Sequence, residues 1–120
     1  MKTLPYDKAK MEQIIKKYPT PFHIYDEAGI ISAAHNLQRA FQWNVGYKEY
    51  YAVKACPNPA ILKLLHRNGC GMDCSSETEL MLCEKLGITG EDIMFSSNVT
   101  PAEDYKLASD LNAIINFDDI

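Results

Sequence analysis

The chain has 120 residues, a formal net charge of -4 and 47% hydrophobic residues, ordinary proportions for one soluble globular unit. Lys and Arg are scattered among Asp and Glu without a basic block, which argues against nucleic acid or an anionic membrane surface as partner. The N-terminal MKTLPYDKAK lacks a signal-type apolar core and no uncharged apolar run is long enough to span a bilayer, so a cytoplasmic location is the default expectation.

In chain order, YDKAKMEQIIKKY spaces Met11, Ile14, Ile15 and Tyr18 as a helical stripe behind Asp7, a good cap, and Pro19 stops it. TPFHIYD, with Phe22 and Ile24, reads as a strand. EAGIISAAHNLQRAFQW then places Ile30, Ala33, Ala34, Leu37 and Phe41 on one helical face, with Asp26 as cap.

From Glu49 onward the chain repeats a short apolar run, a turn with a cap, and a helix. The runs EYYAVKA, CGMDCSS, DIMFSSN and AIINFD are brief and apolar on both faces, as strands of a helix-covered parallel sheet are. Asn58 caps a helix that starts at Pro59, carries Ile61, Leu62, Leu64 and Leu65, and ends at Gly69. Ser76 and Glu79 form a capping box ahead of Leu80, Cys83 and Leu86, with Gly87 as the stop. Thr100, Pro101 and Glu103 predict the same device before Tyr105, Leu107 and Ala108.

A recurrence of roughly twenty residues, strand plus helix plus two loops, is the unit of (β/α)8 barrels and doubly wound sheets. The last residues, FDDI, follow a fourth strand, where another helix is expected. The chain therefore reads as the N-terminal part of something longer, and on its own would expose two strand edges that invite self-association. The four cysteines, Cys56, Cys70, Cys74 and Cys83, form no CxxC pair and have no histidine at zinc spacing. They read as reduced, half-buried side chains, not as metal ligands or disulfides.

In such folds the chemistry lies at the carboxyl ends of the strands. Those ends carry Lys54, then Asp73 and Ser75, then Ser96, Ser97 and Asn98, then Asn116 and Asp118. A lysine at the end of an apolar run, where burial would favour the neutral amine, is a candidate nucleophile toward a carbonyl. Strand alternation would put Ala52 on the face of Lys54, leaving room for a flat ring above the small side chain. An imine-forming lysine with a planar cofactor fits this inventory, pyridoxal phosphate being the leading case. Plain structural readings stand beside it: Lys54 as a solvated charge, Asp73 as a turn or cap, Glu79 as a capping glutamate, the serines and Asn98 as loop residues, and Asp118 as a helix cap.

Together, YYAVKACPNPAILKLL, GCGMDCSSETELMLCEKLGI and DIMFSSNVTPAEDYKLA followed by AIINFDD closely resemble the N-terminal part of the fold-type III pyridoxal-phosphate decarboxylases, the diaminopimelate decarboxylases most of all. The resemblance starts at TPFHIYD and implies a partial (β/α)8 TIM barrel of the alanine racemase/ornithine decarboxylase type over residues 1–120. It also implies that Lys54 forms the internal aldimine with pyridoxal 5'-phosphate, that Asp73 lies beside the cofactor, and that Ser76 and Glu79 match the family's Ser and Glu. Ala52 would line the ring, and Asn98 would join the cofactor-binding set.

The implied activity is decarboxylation of meso-diaminopimelate to L-lysine, the last step of lysine synthesis, by an enzyme that is a homodimer in this family. Where many relatives read Ala-Asn or Cys-Asn after the lysine, this chain has Ala55-Cys56. The family's glycine-rich phosphate loop, pyridine-binding carboxylate, stacking histidine and C-terminal β-domain have no counterpart in these residues, and none of His23, His35 and His66 falls at the stacking position. The chain alone is therefore expected to be inactive. Ornithine, arginine or carboxynorspermidine decarboxylases, a non-catalytic self-associating fragment, and a single-barrel cofactor-handling protein are the alternatives.

Overall fold

The computed structural model describes residues 6–117. Asp118, expected to cap a further helix, lies outside them.

Helix α1 spans Lys8–Lys17, with the Asp7 carboxylate accepting from the Lys10 amide at 2.8 Å. Its apolar stripe buries no residue in the core; Ile14 and Tyr18 instead face Phe22, His23 and Ile24 across a shallow groove. The segment expected as a strand around Phe22 and Ile24 is extended but pairs with nothing described. A strand needs a neighbouring ladder as well as apolar side chains, and here Ile24 stays 39% exposed.

Helix α2, Glu27–Ala40, starts after Asp26 as expected, but the Asp26 side chain makes no capping bond. Of its apolar face only Ala34 is buried. Thereafter βα units follow one another. Strand β1 is Tyr50–Ala52, α3 is Pro59–Arg67, β2 is Gly71–Cys74, α4 is Glu77–Leu86, β3 is Ile93–Ser96, α5 is Ala102–Asp110 and β4 is Ile114–Asn116. The four strands form a parallel sheet in the order β1-β2-β3-β4.

Local sequence sets these boundaries. Asn58 accepts from the Ala60 amide at 2.9 Å with Pro59 in the first turn, and the chain leaves α3 through Gly69 at φ +86°. The Ser76 hydroxyl accepts from the Glu79 amide, and Gly87 ends α4 in the left-handed conformation at φ +74°. Helix α5 departs from expectation. Pro101 occupies the cap position, no side chain caps it, and the Thr100 hydroxyl is buried without a partner. Thr100 falls one residue too early to face the free amides of the first turn.

Helices α2, α3, α4 and α5 lie side by side on one face of the sheet. Against them strand alternation buries Met72, Cys74, Ile93 and Phe95 completely, with Leu62, Leu80, Cys83 and Ile88 from the helices and loops. The opposite face, carrying Ala52, Asp73, Met94 and Ile114 in one registered row, is only partly covered. An all-parallel sheet covered by helices on one side only is the arrangement of a partial (β/α)8 barrel.

Candidate functional site

The uncovered face and the loops after the strands bring the expected residues together. Strand β1 stops at Ala52, and Val53–Ala55 turn as one short 3-10 helix. Lys54 therefore comes from a turn and not from the strand, so alternation with Ala52 does not set its direction. Val53 plugs the core at 0% exposure, and Lys54, next in the turn, is exposed. The burial expected around its amine is not supplied by the described residues.

Asp73 is the registered neighbour of Ala52 on the same face. Its carboxyl is held above the usual range by burial; the Lys54 ammonium pulls it back down and the Glu79 carboxylate pushes it further up. Lys54 and Glu79 thus act in opposite directions on Asp73, near the ends of β1 and β2. Ser96 and Asn116 pair in register one step further along, and the Asn116 amide donates to the Ser96 hydroxyl at 3.3 Å.

The turn after β2 is tightly organised. One Glu79 oxygen accepts from the Ser75 amide at 2.9 Å, the other from the Ser75 hydroxyl at 3.3 Å, while the Glu79 amide donates to the Ser76 hydroxyl at 3.4 Å. Glu79 and Ser76 thus perform the capping role in full, and the carboxylate still reaches Asp73 electrostatically. Ser97 is half-buried and Asn98 exposed in the loop after β3. In that loop Val99 sits at φ +52° and fully exposed, an unfavourable conformation for a β-branched residue.

Other features lie elsewhere. His66 meets Asp92 at 2.8 Å, and Lys48 donates to the other Asp92 oxygen at 2.5 Å, at the amino-terminal end of β3. His23 stacks near Tyr25 before α2, and His35 sits in α2. All four cysteines are free, with Cys70, Cys74 and Cys83 buried and Cys56 half-buried. The Cys74 and Cys83 sulfurs are 3.5 Å apart, and the hydrogen bond to Cys83, then burial, push the Cys74 thiol up. A groove of about 380 Å³ lined by Ile30, Leu37, Tyr51, Ile61 and Cys70 opens on the helix-covered face, away from Asp73.

Sequence reasoning overlooked Asp104, 7% exposed, whose carboxylate accepts from the Glu77 amide at 3.2 Å. The partners lie 27 residues apart, so no local pattern could have revealed the contact. It also missed the Lys48, His66 and Asp92 cluster, again joined only by the fold.

A parallel α/β half-sheet with a lysine, two carboxylates and small polar groups at its carboxyl edge is the kind of scaffold on which pyridoxal enzymes build their sites. Residues 27–120 match the family model described as pyridoxal-dependent decarboxylase, pyridoxal binding domain, and the chain belongs to this family. It is 48% identical over 109 residues to Protein TabA of Pseudomonas amygdali pv. tabaci, covering 91% of this chain and 26% of that protein. It is 36% identical over 107 residues to the diaminopimelate decarboxylase of Thermoplasma acidophilum, covering 89% and 26%.

Among solved structures it is similar to the lysine decarboxylase of Selenomonas ruminantium, with a TM-score of 0.81 and 27% identity, covering 99% of this chain and 31% of that one. It is also similar to diaminopimelate decarboxylase from Helicobacter pylori complexed with L-lysine, with a TM-score of 0.77 and 34% identity over 88% and 27%. The chain thus spans between 26% and 31% of the length of these proteins.

Proposed function

We propose that residues 1–120 are the N-terminal part of the pyridoxal-phosphate-binding (β/α)8 domain of an amino-acid decarboxylase that converts meso-diaminopimelate to L-lysine and carbon dioxide. The observation that carries this reading is Lys54 in the turn after β1, its charge acting on Asp73, the registered neighbour of Ala52 on the uncovered face. The residues present fit the aldehyde end and ring of the cofactor. When bound, pyridoxal phosphate supplies a ring that takes up the electrons left behind as a carboxylate departs.

In this reading the Lys54 amine, the nucleophile of the site, would hold the cofactor at its aldehyde carbon. Asp73, on whose carboxyl the Lys54 ammonium acts, would lie beside the cofactor. Ala52 leaves room for a flat ring where a larger side chain would fill the face. Glu79 and Ser76 hold the turn that follows Asp73, and Asn98 offers an amide from the loop after β3.

Lys54 is exposed, so its desolvation and the grip on the phosphate fall to residues outside this chain, and the chain by itself is inactive. Among the described residues the outer edges of β1 and β4 pair with no strand, which supports pairing with further strands, and the complete enzyme is proposed to be a homodimer. Among the described residues no helix is long and apolar enough to cross a membrane.

The substrate assignment is supported by two diaminopimelate decarboxylases among the similar proteins, one complexed with L-lysine. A second reading, decarboxylation of lysine or ornithine, is favoured by the Selenomonas ruminantium lysine/ornithine decarboxylase, 30% identical over 120 residues. The chain is mixed with pyridoxal phosphate, reduced with borohydride and mapped by peptide mass. Label concentrated on Lys54 and lost in Lys54→Ala supports the site; even labelling of the surface lysines refutes an autonomous one. Carbon dioxide release by the complete protein from meso-diaminopimelate, lysine and ornithine in parallel then decides the substrate.

A further inference from the structure

Asp104 is the one buried charged side chain among the described residues, at 7% exposure. An acid three residues past a helix cap ordinarily folds back onto the cap's own N–H. Here the cap is Pro101, which has no N–H to offer. The Asp104 carboxylate reaches across to the neighbouring unit instead and accepts from the Glu77 amide, the first of α4. The carboxylate thus lies at two helix N-termini, its own and that of α4.

The next residues of that same turn hold the candidate site. Glu79 grips Ser75 through both of its oxygens, and Ser75 lies two residues after Asp73. We propose that Asp104 is a positioning residue, reaching from α5 to clamp the first turn of α4 and so keeping Glu79 and Ser75 in place beside Asp73. Its functional meaning rests on the reading of Asp73 and Glu79 as neighbours of the cofactor. Asp104 itself is not among the charges that shift Asp73, whereas Glu79 is. A change at Asp73 after substitution of Asp104 therefore has to be relayed through the turn.

The test uses the 120-residue chain with Asp104→Ala and Asp104→Asn, read by backbone amide exchange and by carbon NMR of the Asp73 carboxyl. In Asp104→Ala the Glu77 amide should exchange about tenfold faster or more, the factor a charge-assisted hydrogen bond carries. Ser75 protection should fall with it, and the Asp73 titration should move down as Glu79 swings away. Asp104→Asn, which keeps an acceptor oxygen, should restore the Ser75 protection and the Asp73 titration. Asp104→Thr, too short to reach Glu77, gives the same readout if the alanine variant does not fold. A folded variant with lower Tm but unmoved Ser75 protection and Asp73 titration would overturn the proposal and leave Asp104 a local cap. The titration needs no cofactor, so absence of borohydride-fixed label at Lys54 in the complete protein sinks the cofactor reading separately.

Discussion

Replacing Gly71 with alanine tests how β1, β2 and the start of β3 are locked together. Gly71 opens β2 in register with Tyr50, whose ring lies over it. An added Cβ would stand 2.5 Å from the Tyr50 Cδ1, 2.6 Å from its Cε1 and 3.1 Å from the Asp92 carbonyl oxygen. Neither ring contact is tolerable, so the ring has to swing out. The Tyr50 hydroxyl, which donates to the Glu91 carbonyl at 2.7 Å, would then lose its partner. Overpacking costs about 1–3 kcal/mol and the lost hydrogen bond about 1 kcal/mol more, giving about 2–4 kcal/mol.

With a urea m-value of about 1.5 kcal/mol/M, that moves the unfolding midpoint by about 1.3–2.7 M. Far-UV circular dichroism is the suitable probe, because the single tryptophan, Trp43, is 76% exposed and so reports little on packing. In a Tyr50→Ala background most of the cost should vanish, leaving the milder contact with Asp92, for a coupling of about 1.5–3 kcal/mol. An unchanged midpoint, or strictly additive single and double variants, would refute the packing argument.

Asp73→Asn should stabilise the chain at neutral pH while weakening cofactor attachment at Lys54. A carboxyl raised by folding binds its proton more tightly in the native state, so its contribution declines as pH rises through the folded pKa; urea titrations at pH 4 and pH 7 read the difference. Asp92 behaves oppositely. Its hydrogen bonds from Lys48, then His66, hold it below the usual carboxylate range, so its contribution is present above the unfolded value of about 3.9 and lost as pH falls through the lower folded value. Asp92→Asn should flatten that acid limb of the stability profile, and an unaltered limb would count against the cluster. Under native conditions iodoacetamide should modify Cys56 first, with Cys70, Cys74 and Cys83 reacting only on unfolding, because burial denies the reagent access; mass mapping over time checks the order.

What the sequence by itself determined was whatever depends on near neighbours. The caps at Asp7, Asn58 and Ser76 and the stops at Gly69 and Gly87 are where local patterns put them, because a cap needs only amides within one turn. The βα rhythm and the position of Lys54, Asp73 and Glu79 near strand ends were legible for the same reason. Only the tertiary structure decided the rest. Among the described residues Phe22 and Ile24 lack a strand partner, β1 gives way to a turn before Lys54, and Thr100 yields its cap position to Pro101. Asp104 finds Glu77, and Asp92 finds Lys48 and His66, across 27, 44 and 26 residues. Such contacts form because parallel strands place successive helices side by side, bringing together groups that no short sequence window contains.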